Sequence, residues 1–133
     1  MDNLIKRNDY LEQLEVWREK EMIKVVTGVR RCGKSTLFEL YINSLKSLGI
    51  TDAQIIFVNL EDEDYSELLD YKKLHEYVKE RILEGKWTYV FIDEIQNCKE
   101  YEKAISSLYL KKSLDIYIQV QTLTCFQGSL LQN

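Results

Sequence analysis

Met22-Ile23-Lys24-Val25-Val26-Thr27 is a short β-branched run, and it leads straight into Gly28-Val29-Arg30-Arg31-Cys32-Gly33-Lys34-Ser35-Thr36. The second segment has the form GxxxxGK[ST], which ordinary residue frequencies produce in under about 1% of chains of this size. Its context carries as much as its letters. A predicted strand precedes it, and a predicted helix follows, with Leu37, Phe38, Tyr41, Ile42 and Leu45 at helical spacing until Gly49 stops the pattern. Glycines at the two ends of such a loop let backbone N–H groups curl around phosphate oxygens, and the helix N-terminus adds favourable partial charge. In that frame Gly28 through Gly33 cradle a nucleotide's phosphates, Lys34 neutralises the β and γ phosphates, and the Ser35 hydroxyl, followed by Thr36, ligates Mg²⁺. Arg30 and Arg31 at the loop tip read either as cationic contacts to the γ-phosphate or a partner chain, or as solvated surface. Cys32 reads as a small loop residue.

Outward from this loop the hydrophobic period alternates between two types. Ile55 to Leu60 is a second continuous apolar run, Tyr89 to Asp93 a third, and a fourth begins at Asp115. Between them, Leu69, Tyr71, Leu74, Val78, Ile82 and Leu83 predict a helix over 66–84, and Tyr101, Ala104, Ile105 and Leu108 predict another over 99–110. Gly49 and Gly85 stand where left-handed helix stops are expected. An opening helix near 9–20 is built around Leu11, Leu14 and Trp17. Continuous apolar strands alternating with helices describe an open α/β architecture, a parallel sheet covered on both faces.

A Mg²⁺–nucleotide site also needs a carboxylate at the end of a neighbouring strand, because hard cations prefer oxygen. The run Tyr89-Val90-Phe91-Ile92-Asp93-Glu94 supplies it. Asp93 is expected to hold Mg²⁺ through water, and Glu94 to polarise the attacking water as general base. Strand ends in such sheets converge on one crevice, which brings Asn59 within expected reach of Glu94; the alternative is a strand-end Asn that makes a turn.

Composition sets the outer limits. With 133 residues, 45% of them hydrophobic and 30% charged, the chain reads as one soluble domain or part of one. Lys and Arg total 18 against 22 Asp and Glu, so there is no broad basic face for nucleic acid or anionic membrane. Cys32, Cys98 and Cys125 form no CxxC pair, which disfavours a disulfide framework or a zinc site and fits a reducing cytoplasm. No apolar run approaches the ~20 residues that span a bilayer. His75 reads as a lone solvated histidine on a helix face.

The loop 28–36, the strand end Phe91-Ile92-Asp93-Glu94-Ile95-Gln96, an upstream RxxYLxxLxxW pattern and Asn59-Leu60-Glu61-Asp62 together resemble the bacterial and archaeal AAA-like P-loop ATPases whose full-length members carry a C-terminal domain of unknown function. The resemblance covers residue 7 to about 118. It implies a five-stranded sheet in the order 5-1-4-3-2, ATP and Mg²⁺ as ligands, and an oligomer or a C-terminal domain as partner. It also implies a polar sensor after the fourth strand, then a fifth strand and a helical lid. Three segments follow from it: an N-terminal helix over 1–20, an incomplete ATPase core over 21–118 and a tail over 119–133. The expected continuation after Ile118 is a Thr-Gly-Ser-Asn segment; restoring one base ahead of codons that encode the observed tail yields TGSNAYLLSGEFAT. That reading makes 119–133 an out-of-frame tail and leaves the edge of the first strand bare; the alternative is a genuine divergent tail. Gln119 and Gln121 do not have the sensor's spacing. Three activities remain as expectations: ATP hydrolysis, nucleotide binding without turnover, and a small-molecule kinase, the last disfavoured because no Arg-rich lid follows Glu94.

Overall fold

The computed structural model describes residues 16, 18, 23–29, 34–122 and 129–131. The opening helix near 9–20 therefore lies outside the described residues, apart from positions 16 and 18. Strand β1, Lys24–Val29, is followed by helix α1, Lys34–Ser47. The chain continues through β2, Ile55–Asn59; α2, Tyr71–Glu80; β3, Thr88–Asp93; and α3, Tyr101–Tyr109. It ends in the long strand β4, Leu114–Thr122, and a short one, β5, Ser129–Leu131. The sheet order is β2-β3-β4-β1-β5. The first four strands are parallel, as the apolar runs and intervening helices require.

Each face of the sheet has its own core. Val26, Tyr89, Phe91 and Tyr117 are buried under Phe38, Tyr41 and Leu45 of α1. Ile56, Val58, Val90, Ile92, Ile116 and Ile118 are buried under Leu74 and Val78 of α2 and Ala104, Ile105 and Leu108 of α3. Strand β3 is buried at all six positions, which is why its sequence is a continuous apolar run, whereas β2 at the sheet edge alternates. On the α1 side the packing is aromatic: Phe91 stacks on Tyr117 at 4.7 Å between centroids, and Phe38 meets Phe91 edge-on at 5.3 Å.

Several expectations change in the structure. The helix expected over 66–84 is divided, because Asp70 caps α2 by accepting the Lys72 amide at 3.1 Å, and a 3-10 segment, Glu63–Leu69, precedes it. Leu69 is consequently exposed. Gly49 follows α1 with φ +97°, as a left-handed stop should, but Gly85 lies in a turn beyond the end of α2. His75 is not a lone solvated side chain: α2 and α3 pack together, and its Nε2 shares a 2.9 Å hydrogen bond with the Ser107 hydroxyl. The edge of β1 is not bare. Within the segment expected to be an out-of-frame tail, residues 119–122 complete β4, and β5 pairs antiparallel with Val25, Val26 and Thr27.

Lys24, read from sequence as part of an apolar run, is fully buried and ion-paired with the equally buried Asp115 of the neighbouring strand. The Tyr117 hydroxyl donates to the other Asp115 oxygen at 2.8 Å and lies 3.3 Å from the Tyr41 hydroxyl. Burial, with the Asp115 charge behind it, pushes the Tyr117 phenol far up, so it stays a neutral donor.

Candidate functional site

The carboxyl ends of the parallel strands carry several of the residues singled out in the sequence: Gly28 and Val29 on β1, Asn59 on β2 and Asp93 on β3. Gly28 and Val29 are the last residues of β1, paired in register with Gln121 and Thr122 of β4. Lys34, Ser35 and Thr36 open α1. Arg30, Arg31, Cys32 and Gly33 lie outside the described residues. The strand-to-helix order expected around the loop is therefore present on both sides of it.

Asp93 closes β3, and Glu94 follows it; each is only 2% exposed. Phe91 and Tyr117 stack on the α1 face, and Asp93 and Gln119 lie two residues further along the same two strands, so both fall on that face. Gln119 also follows Ile118, the register partner of Ile92, which puts it across from Asp93. Its other neighbour is Val26 of β1. Helix α1 runs back over these strands: Phe38 sits on Phe91, and the turn bearing Lys34 and Ser35 comes one helical turn earlier, toward Asp93. A helix N-terminus and a buried carboxylate thus share one crevice, an electrostatic arrangement suited to an anion and a cation bound together.

Glu94 adopts the left-handed conformation, φ +59° and ψ +44°, which is uncommon outside glycine and turns the chain sharply off the strand into a 3-10 turn, Ile95–Asn97. That turn is tied down by the Asn97 amide donating to the Glu94 carbonyl at 3.1 Å and by the Asn97 side chain donating to the Leu60 carbonyl at 3.4 Å. The Gln96 side-chain amide donates to Glu94 Oε1 at 2.7 Å. Asn59 is the register partner of Asp93, yet its side-chain oxygen accepts the Glu61 amide at 3.0 Å. It makes the strand-end turn, and the amide that the structure brings to Glu94 is that of Gln96. Sequence reasoning missed Gln96 in this role, since its reach back to Glu94 depends on the left-handed turn between them.

Gln119 is fully buried, and neither its side-chain nitrogen nor its oxygen has a hydrogen-bond partner. Among the described residues, no three His, Cys, Asp or Glu side chains gather as an all-protein metal cage. Among those residues too, no helix is long and apolar enough to cross a membrane.

Comparison with known proteins agrees with this layout. The model of a family described as "AAA domain" matches residues 20–121. An uncharacterized protein of Haemophilus influenzae is 31% identical over 128 residues, covering 96% of this chain and 32% of that protein, so the chain spans about a third of the length of the curated relative it matches. No solved structure matches. With the α/β sheet, a strand and a helix on either side of the loop motif and a family match over most of its length, the chain is an AAA-like nucleotide-binding domain and belongs to the AAA domain family.

Proposed function

We propose that this domain binds Mg²⁺-ATP at the carboxyl edge of the sheet and hydrolyses it. The observation that carries the reading is the placement of Asp93 and Glu94, both 2% exposed, at the end of β3, on the crevice where β1 gives way to α1 through GxxxxGKS. The backbone from Gly28 to Gly33 and the first turn of α1, including Thr36, cradle the phosphates; Lys34 neutralises the β and γ groups; Arg30 and Arg31 stand at the loop tip.

The donor set suits a hard, hydrated cation. Asp93 and the Ser35 hydroxyl are oxygen donors, too few for a protein cage but suited to an ion that keeps several waters and phosphate oxygens. The Gln119 amide, buried without a hydrogen-bond partner, offers polar groups that such waters satisfy. Bound Mg²⁺ supplies charge neutralisation on the phosphates. Glu94 accepts the proton of a water attacking the γ-phosphorus in line, while the bond from that phosphorus to the β–γ bridging oxygen breaks and ADP leaves with the electron pair. Asn59 belongs to this reading only as a neighbour of Asp93, because its side chain is committed to the Glu61 amide.

Nucleotide binding without turnover is the second reading. It is favoured by Gln119 and Gln121 on β4, which lack the spacing of the polar sensor that the family resemblance implies. Phosphate release at saturating Mg²⁺-ATP separates the two. Release above background supports hydrolysis, and calorimetric binding with no release supports the second reading. The out-of-frame origin of 119–133, the cytoplasmic setting, and an oligomer or C-terminal partner in the longer protein belong to the same proposal. Sequencing the gene past the codon for Ile118 tests the first of these.

A further inference from the structure

We infer that Gln96 is a positioning residue for Glu94: its side-chain amide fixes the carboxylate that acts on the attacking water. This rests on the proposed role of Glu94 as general base. The observations are local and mutually consistent. Gln96 Nε2 donates to Glu94 Oε1 at 2.7 Å, a short, charge-assisted contact. The donor and acceptor are two residues apart and meet because Glu94 is left-handed and the 3-10 turn Ile95–Asn97 folds Gln96 back. The turn is anchored at both ends. Asn97 bonds to the Glu94 and Leu60 carbonyls, and the Leu60 amide bonds to the Asp93 carbonyl at 3.0 Å. Gln96 is half-buried, and Ile95 beneath it is fully buried, so the amide is delivered by a rigid frame.

The chemistry gives this bond a purpose beyond packing. A carboxylate acts as a base through one oxygen in a defined direction, and a long Glu side chain has rotamers that point it elsewhere. A donor held on one oxygen fixes the plane of the group. Gln96 itself need not touch nucleotide or water.

Phosphate release from Mg²⁺-ATP tests this on the full chain, with the parent compared with Gln96→Met, Glu94→Gln and the double variant. Gln96→Met keeps the length of the side chain and removes its donor. The expected result is a fall in kcat of about tenfold with KM for ATP within about twofold, and no further loss when Gln96→Met is added to Glu94→Gln. An equal loss in both backgrounds would mean that Gln96 acts through general structure, and it would overturn the inference. So would an unchanged or raised kcat, or a loss expressed only in KM. If Glu94→Gln abolishes release while Gln96→Met does nothing, this inference fails and the hydrolysis reading stands; a parent that binds Mg²⁺-ATP but releases no phosphate removes both. A second measurement reads the contact without turnover. The Gln96 side-chain amide signal, identified in ¹H–¹⁵N spectra by its loss in Gln96→Met, should shift in Glu94→Gln; a signal that stays in place would also overturn the inference.

Discussion

Lys24 and Asp115 form an ion pair between adjacent strands β1 and β4, with both side chains fully buried and the two residues 91 positions apart in the chain. Removing one partner leaves the other charged and buried. Asp115→Ala should therefore cost about 3 to 5 kcal/mol in urea unfolding. Lys24→Met combined with Asp115→Leu should recover most of that, since a well-packed apolar pair often replaces a buried ion pair without net loss. A double variant no more stable than Asp115→Ala would count against this account.

Lys34→Ala takes away the cation assigned to the β and γ phosphates. Calorimetry in the presence of Mg²⁺ should show ATP affinity falling by at least about tenfold, with the melting temperature of the nucleotide-free chain little changed. Equal affinities would remove the site.

Glu94→Gln keeps the size of the side chain and deletes its basicity. ATP affinity should stay within a few-fold of the parent while phosphate release falls by about 100-fold or more. Parental turnover in this variant would show that the base lies elsewhere.

Cys98 is buried, and burial, with smaller contributions from Asp70 and Glu102, pushes its thiol up to about 11 from an ordinary 9.0. The raised folded value means that the unfolded chain gives up this proton first. The thiol's contribution to stability is intact below about pH 9 and is lost as the pH rises from 9 toward 11, by up to about 2 to 3 kcal/mol. Denaturation at pH 8, 9, 10 and 11 should show a steeper decline for the parent than for Cys98→Ala. Parallel declines would refute it. At pH 8 the native thiol should also resist alkylation until the chain is unfolded.

Deleting residues 123–133 removes β5 and uncovers the β1 edge at Val25, Val26 and Thr27. An open apolar edge templates further pairing, so the shortened chain should associate, read as concentration-dependent light scattering, where the parent does not. A shortened chain that stays monomeric would show that β5 contributes little protection.

Much of this fold is legible in the sequence because its strands are buried on two faces and its helices on one. Val90, Phe91 and Ile92 announce a central strand, and Phe38, Tyr41 and Leu45 recur at the period of a helix packed on one side. The loop motif locates the crevice because its chemistry is local. Features that depend on distant or turn-dependent meetings are not legible in this way. Nothing near Lys24 marks its partner on β4. Asp70 ends one helical segment and starts another by a side-chain bond that hydrophobic spacing does not register. The three residues of β5 are too few to show a period. Asn59 and Gln96 carry the same amide, and a left-handed backbone at Glu94 selects the one that reaches its carboxylate.

The aromatic layer under α1 makes the helix that starts at Lys34 and the strand that ends at Asp93 one mechanical part. Phe38 and Tyr41 grip Phe91, Tyr41 reaches Tyr117, and Tyr117 is tethered through Asp115 to Lys24 at the start of the neighbouring β1. Close-packed rings resist sliding, so this block behaves as an anvil rather than a hinge. A displacement at either end of the block is thereby passed to the other, so the start of the helix and the end of the strand shift together rather than separately.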